Sequence, residues 1–193
     1  MNDQATLPLL FVLSPVLPSD SEPALERRVR RSLFRREPVV LGTASTPYTS
    51  GGSGSPLQML LTEEGLEIAI TTATPRIVRE LDLLVELDRR HSVTVQMVVP
   101  AWNAEDPEPR MGAVRRLAAE GIATRVLLQA VPDASGGGEE TLRFLLEEAR
   151  EAGAYDVEID AGSHRRGERA RLLADFGRLR LEHGFPQALS GRG

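Results

Sequence analysis

The chain has 193 residues, with 28 acidic side chains, 23 basic ones, a formal net charge of −5 and no cysteine. Every basic side chain is arginine, because the sequence contains no lysine. Without cysteine these residues offer no thiolate nucleophile, disulfide or cysteine-ligated iron–sulfur site, and without lysine no Schiff base. Any chemistry must therefore use carboxylates, imidazoles, hydroxyls, guanidinium groups and the backbone.

Charged residues make up 26% and apolar residues 41% of the chain, which is typical of a globular domain. We predict a single domain over residues 1–186 and a flexible tail over 187–193. The acidic balance makes nucleic acid an unfavourable partner. No long apolar run and no basic leader segment is present, so we expect a cytoplasmic protein without a membrane partner.

Six apolar runs of strand length recur along the chain, with segments of helical spacing between them. The runs are Leu7–Leu13, Val39–Gly42, Glu67–Thr72, Val93–Val99, Ala123–Val131 and Tyr155–Asp160. They are nearly continuous, as in parallel strands buried on both faces. Six βα units are compatible with an open doubly wound sheet or with a (βα) barrel that has too few units to close at eight.

Residues typical of helix caps support these units. Thr74-Pro75 predicts a helix start, with the threonine as the capping residue. Glycines that follow helical stretches predict left-handed C-terminal caps, at Gly65, Gly121, Gly153 and Gly184.

In both architectures ligands bind at the carboxyl edge of the sheet, so polar residues after the strands are the candidate site. The candidate ligand-binding residues are Thr43, Ser45, Tyr48, Thr71, Thr72, Trp102 and Gln129. Asp133, Asp160 and His164 are the candidate acids and bases. The hydroxyl groups are equally suited to loop backbone bonds, and Trp102 to plugging a barrel mouth. No metal site is assigned.

Two stretches carry a family resemblance: Pro38–Tyr48, with the sequence PVVLGTASTPY, and Ile70–Leu84, with the sequence ITTATPRIVRELDLL. They resemble consecutive units of radical S-adenosylmethionine proteins of the spore-photolyase-like group. The match continues in order through Pro109–Ile122 and Val126–Pro132. The resemblance implies a six-unit partial TIM-like barrel of parallel strands with outer helices.

The departures from that family bear on function. The family binds a [4Fe–4S] cluster through a Cys-x3-Cys-x2-Cys loop, a segment that is missing here. The family's basic residue after two threonines, expected to meet the cofactor carboxylate, aligns with Ala73. Radical chemistry and an iron–sulfur cluster are therefore excluded for these residues. No cofactor is assigned, and S-adenosylmethionine or a nucleotide is a candidate ligand.

The resulting hypothesis is a cluster-less, non-redox binding or regulatory module with a small-molecule pocket at the carboxyl end of the barrel. Two alternatives stay open: a non-radical enzyme using Asp133, Asp160 and His164, and a structural partner of a separate iron–sulfur chain. The apolar edge strand Leu7–Leu13 predicts a homo-oligomer or a partner chain at that edge.

Overall fold

The computed structural model describes residues 22–35, 37–45, 47–49, 56–101, 106–129, 138–161 and 166–185. In these ranges helices and strands alternate. The helices are α1 (Glu22–Arg35), α2 (Pro56–Leu60), α3 (Leu81–Arg90), α4 (Glu108–Ala119), α5 (Gly138–Glu151) and α6 (Arg166–Glu182), with a 3₁₀ helix at Pro75–Glu80 before α3. The strands are β1 (Val39–Leu41), β2 (Glu67–Thr72), β3 (Ser92–Pro100), β4 (Ala123–Gln129) and β5 (Asp156–Asp160).

The five strands form one open, all-parallel sheet in the order β1-β2-β3-β4-β5. Five of the six predicted strands are thus confirmed, whereas Leu7–Leu13 lies outside the described residues. A doubly wound sheet reverses its strand order at a switch point, and these five strands show no reversal. Because such connections share one hand, a sequential order brings all connecting helices to the same face.

The hydrophobic core lies between the sheet and this helical layer. Strand residues of one parity, such as Ile70, Val95 and Val126, belong to a single buried cluster together with helix residues such as Leu84 and Leu117. Residues of the other parity face away from the helices. The same cluster extends from Val29 in α1 to Phe185 after α6.

The two faces of the sheet differ in composition: Val98 and Leu127, which face away from the helices, are buried as predicted, but several of their neighbours on that face are polar. The face opposite the helices carries Thr71, Gln96, Arg125 and Glu158, and we call it the polar face. Predicted strand ends also shift slightly. Gly42 lies outside β1 because its φ of 76° is incompatible with a strand.

These predicted helix caps are confirmed. All four capping glycines have positive φ, between 72° and 85°. Thr74 caps the 3₁₀ helix, since its hydroxyl accepts a hydrogen bond from the Arg76 amide at 3.2 Å. Among the residues that the structure describes, no helix is both long and apolar enough to cross a bilayer.

An exposed cluster of four charges joins α5 to α6. Arg178 donates to Glu182 at 2.8 Å and to Glu139 at 3.0 Å, and Arg143 donates to the same two carboxylates at 3.1 and 2.9 Å. Each guanidinium thus links the two helices. Hydrogen bonds from Arg143 and Arg178 lower the pKa of Glu139, and the bond from Arg178 lowers the pKa of Glu182.

Acid should weaken this junction. A carboxylate whose pKa is lowered on folding stabilises the fold fully above its unfolded pKa, and the contribution is lost as pH falls through the folded pKa. The urea midpoint of unfolding should decline less below about pH 5 in the double variant Glu139→Gln with Glu182→Gln than in the unchanged protein. Glu151→Gln, on an exposed carboxylate of the same helix, should leave the decline unchanged. Equal pH profiles for all three proteins would contradict this role.

Candidate functional site

A chain of hydrogen-bonded side chains crosses the polar face. The Thr71 hydroxyl donates to Gln96 Oε1 at 3.2 Å, and Gln96 Nε2 donates to Glu158 Oε2 at 3.0 Å. Glu158 Oε1 accepts from Arg125 Nη1 at 2.7 Å. The register explains the alignment, because Thr71 lies beside Gln96 and Gln96 beside Arg125 across neighbouring strands. The side chains of β2, β3, β4 and β5 are therefore joined into one network.

Arg125 is the cation at the centre of this network. Its Nε and Nη2 donate to the Tyr155 hydroxyl at 3.0 and 2.8 Å, and its guanidinium lies 5.5 Å from the centroid of the Tyr155 ring. Burial lowers the pKa of Arg125, but Glu158 and Tyr155 outweigh that effect, so the pKa is raised overall. Arg125 is thus a fixed positive charge, buried among its own partners.

Asp156 continues the row beyond Arg125 and ties it to the helical layer. Its carboxylate accepts a hydrogen bond from Arg180 of α6 and another from the Val157 amide at 2.8 Å. Arg180 is buried and its guanidinium lies 5.8 Å from the centroid of the Phe176 ring. The amino end of β5 is therefore held by an ion pair that includes a buried arginine.

Above this network, Gln129 and Asp160 lie at the carboxyl edge. They are register partners at the ends of β4 and β5, and Gln129 is also the partner of Pro100. Their parity is that of Arg125 and Glu158, so they belong to the rim of the polar face. Of the sequence-predicted residues, the structure thus brings Thr71, Gln129 and Asp160 to the same face.

Tyr48 and Thr72 are part of a tightly built loop after β1. Tyr48 is buried, and its hydroxyl donates to Glu80 Oε2 at 3.1 Å. The Tyr48 amide donates to the Thr71 carbonyl at 2.7 Å, and the Thr72 hydroxyl donates to the Tyr48 carbonyl at 2.7 Å. Both side chains therefore bond to the protein's own scaffold.

Gly42 allows this loop to approach β2. A Cβ on Gly42 would lie 2.3 Å from the Tyr48 nitrogen and 2.5 Å from the Thr71 oxygen. These backbone atoms cannot move without breaking the hydrogen bond between them. The glycine of the Leu-Gly-Thr segment is thus required by close packing as well as by its positive φ.

Other polar groups at the carboxyl edge are more exposed. The hydroxyls of Thr43 and Ser45 lie 3.1 Å apart within the loop. Arg110, in the first turn of α4, donates from Nε to the Ala73 carbonyl at 3.0 Å. The guanidinium of Arg110 therefore lies beside Ala73, the position at which the radical S-adenosylmethionine family has its basic residue. Here the positive charge comes from α4 and not from the end of β2.

Three sequence-predicted residues, Trp102, Asp133 and His164, lie outside the described residues. Within the described ranges no group of three or more metal-ligating side chains is present. Just before α4, Asp106 accepts a hydrogen bond from the Glu108 amide at 3.0 Å, and Glu108, the first residue of α4, pairs with Arg115 at 3.2 Å. Both carboxylates therefore make contacts within the first turns of α4 and the residues just before it.

Sequence reasoning missed Gln96, Arg125, Tyr155 and Glu158. It considered only residues at or after the carboxyl ends of the strands, whereas these residues lie in the middle of a strand, near its amino end or directly before it. A signal was nevertheless present: Arg125 interrupts an apolar strand, and a charge inside a buried strand requires a partner. Glu158, at an alternate position of the next strand, supplies that partner.

No protein-family model matches the chain, and no curated protein is detectably similar to it. The resemblance to radical S-adenosylmethionine proteins therefore stays a prediction, based on the segments Pro38–Tyr48 and Ile70–Leu84.

Gly42→Ala tests the loop geometry. The added methyl group meets two backbone atoms in a conformation that disfavours alanine, so we expect a loss of at least about 2 kcal/mol in the free energy of unfolding. Gly65→Ala is the matched control, because Gly65 has φ of 72° and nothing within 4 Å of its Cβ position. It should cost only about 1 kcal/mol. Equal losses in urea unfolding would show that the close approach is unimportant.

Arg125→Met tests the network. It leaves the Glu158 carboxylate on the polar face without its cation, and we expect a loss of about 2 kcal/mol. In a double-mutant cycle with Glu158→Gln, the two substitutions should be non-additive by about 1 kcal/mol. Arg116→Met on the exposed surface of α4 should change stability by less than about 0.5 kcal/mol. Additivity of Arg125→Met and Glu158→Gln would contradict the pairing.

Proposed function

We propose that the chain is a non-redox binding module that holds a polar small molecule on the polar face of its sheet, at the carboxyl end. The observation that carries this proposal is the hydrogen-bonded chain from Thr71 through Gln96 and Glu158 to Arg125. A parallel sheet normally buries apolar residues on both faces, and polar groups placed there lower stability unless they are satisfied. Here these groups satisfy one another, and a row of oriented polar groups on one face also offers hydrogen-bond donors and acceptors to a ligand.

The strand order supports a partial barrel as the scaffold. In a barrel each strand lies beside the next one along the chain and the helices lie outside, as with β1 to β5 and the helical layer. The polar face would then be the inner surface, and its carboxyl end the mouth. We infer that the chain is a cluster-less relative of radical S-adenosylmethionine proteins, consistent with its sequential sheet and its lack of cysteine.

The groups on the polar face indicate the chemistry of the ligand. Successive residues of one parity are about 6.7 Å apart along a strand. The row of Gln96 and Arg125 and the rim of Gln129 and Asp160 are therefore separated by one intermediate layer. In this layer Val98 and Leu127 are apolar, and the Glu158 carboxylate is bonded to Gln96 and Arg125. A flat ligand with a weakly polar ring and hydrogen-bonding groups at both ends, such as a nucleoside, matches this alternation.

Binding of S-adenosylmethionine and of adenosine tests the proposal. At a ligand concentration of about 100 times Kd, binding to the folded state alone should raise Tm by about 5–10 °C. Gln96→Leu keeps the volume but removes the amide, and should weaken binding about tenfold or more. Gln58→Leu, an exposed position of α2, is the matched control and should bind as the unchanged protein does. Calorimetric titration gives the affinities.

Two results would overturn the proposal. If neither compound raises Tm or gives a heat of binding, the nucleoside ligand is wrong. If Gln96→Leu binds as tightly as Gln58→Leu, the ligand does not use the polar face. In that second case the structural role of the network, tested by Arg125→Met, would stand by itself.

A further inference from the structure

The outward side of α1 combines four arginines with an exposed aromatic ring. Phe34 is 90% exposed, and Arg30 and Arg31 lie one turn before it. Arg27 lies two turns before it, and Arg35 is adjacent. We call these five residues the basic surface. Val29 and Ser32, on the other side of the helix, are buried, so α1 is anchored to the core by its inner side.

The positive charge of the basic surface is only partly compensated by its neighbours. Arg31 and Arg35 share a single carboxylate, Glu37, at 3.6 and 3.7 Å. Both guanidinium side chains are more than half exposed. Residues 22–37 contain six arginines and three glutamates, so a net positive charge remains around Phe34, which favours an anionic partner.

The outward side of α5 has the opposite charge. Phe144 is 50% exposed, with Glu140 one turn before it and Glu147 and Glu148 one turn after it. We call these four residues the acidic surface. Within the part of the chain that the structure describes, its three carboxylates form no ion pair. Arg143, a neighbouring arginine of α5, is paired with Glu139 and Glu182 instead.

The two surfaces are complementary in charge and similar in form. Each is one side of a 14-residue helix with one exposed phenylalanine and an excess of one charge. Residues 22–37 have three more arginines than glutamates, and residues 138–151 have three more glutamates than arginines. Exposed aromatic residues ringed by arginine or carboxylate are typical of protein interfaces, where the ring supplies contact area and the charges supply specificity. The basic surface therefore matches the acidic surface.

Within one molecule the two surfaces lie apart. α1 packs on β1 and α2, at one end of the sheet, whereas α5 packs on α4 and α6, at the other end. We propose that the basic surface of one molecule binds the acidic surface of a second copy of this chain. The two halves of such a contact differ, so the pair keeps one free surface of each kind and the assembly can grow. This contact does not involve the proposed ligand site.

The contact is small. A helix of 14 residues is about 21 Å long, and two such helices side by side bury less than the roughly 1,200 Å² of a standard interface. The association is thus weak and reversible, and it depends on ionic strength because it is formed between exposed charges.

Sedimentation velocity over increasing protein concentration measures the association. We expect the weight-average sedimentation coefficient to rise with concentration at about 50 mM salt and to stay nearly constant at about 500 mM. Arg30→Glu with Arg31→Glu should weaken the association about tenfold or more, and so should Glu147→Arg with Glu148→Arg. Phe34→Ser should weaken it without a change in net charge.

Mixing the two charge-reversal variants distinguishes this contact from a symmetric one. Each variant keeps one intact surface, so each should be monomeric alone. The mixture should associate again, because the intact acidic surface of one variant meets the intact basic surface of the other, and the two reversed surfaces are also of opposite charge. Arg76→Glu with Arg79→Glu and Glu64→Arg with Glu67→Arg reverse equal charges at exposed positions outside both surfaces, and should associate as the unchanged protein does.

The proposal is overturned if the protein is monomeric at all concentrations in low salt, or if the mixture of variants forms no dimer. It is also overturned if the control variants lose association equally, since net charge alone would then be responsible. Binding of the basic surface to a single-stranded oligonucleotide or to vesicles of anionic lipid, in a protein that does not self-associate, would assign that surface to another partner.

Discussion

The structure depends on one constraint: its sheet is covered by its own described helices on one side only. A sequential order of parallel strands brings the connecting helices to the same face, and the buried apolar cluster lies there. The second face needs another solution. In this chain the solution is a set of polar side chains that satisfy one another, so that Gln96, Arg125 and Glu158 each have a partner across a strand boundary.

Much of the fold was predictable because it is encoded locally. A glycine after a helical stretch marks a left-handed cap, whichever elements pack nearby, and Gly65, Gly121, Gly153 and Gly184 all have positive φ. Thr74 before a proline marks a helix start for the same reason. The strands were recognisable as apolar runs between these signals, and β2 has the predicted bounds of Glu67–Thr72.

The candidate site was harder to predict because it depends on register. Whether Thr71 meets Gln96, or Arg125 meets Glu158, is decided by which residues lie side by side in neighbouring strands, and no local pattern gives that alignment. Of the residues that the strand-end rule selected, Thr71, Gln129 and Asp160 lie on the polar face. The rule also selected Tyr48 and Thr72, which bond within the scaffold, because it does not distinguish a side chain that faces the sheet surface from one that closes a loop.

The absence of lysine acquires a structural meaning from these contacts. A guanidinium is planar and has donors on several sides, whereas an ammonium group is a single point of charge. Arg125 uses this property to bind Glu158 and Tyr155 together, and Arg178 uses it to bind Glu139 and Glu182. Each of these two arginines therefore links two elements. On the polar face this fixes the orientation of Glu158, and through it Gln96, before any ligand arrives, so binding there would lose little conformational freedom.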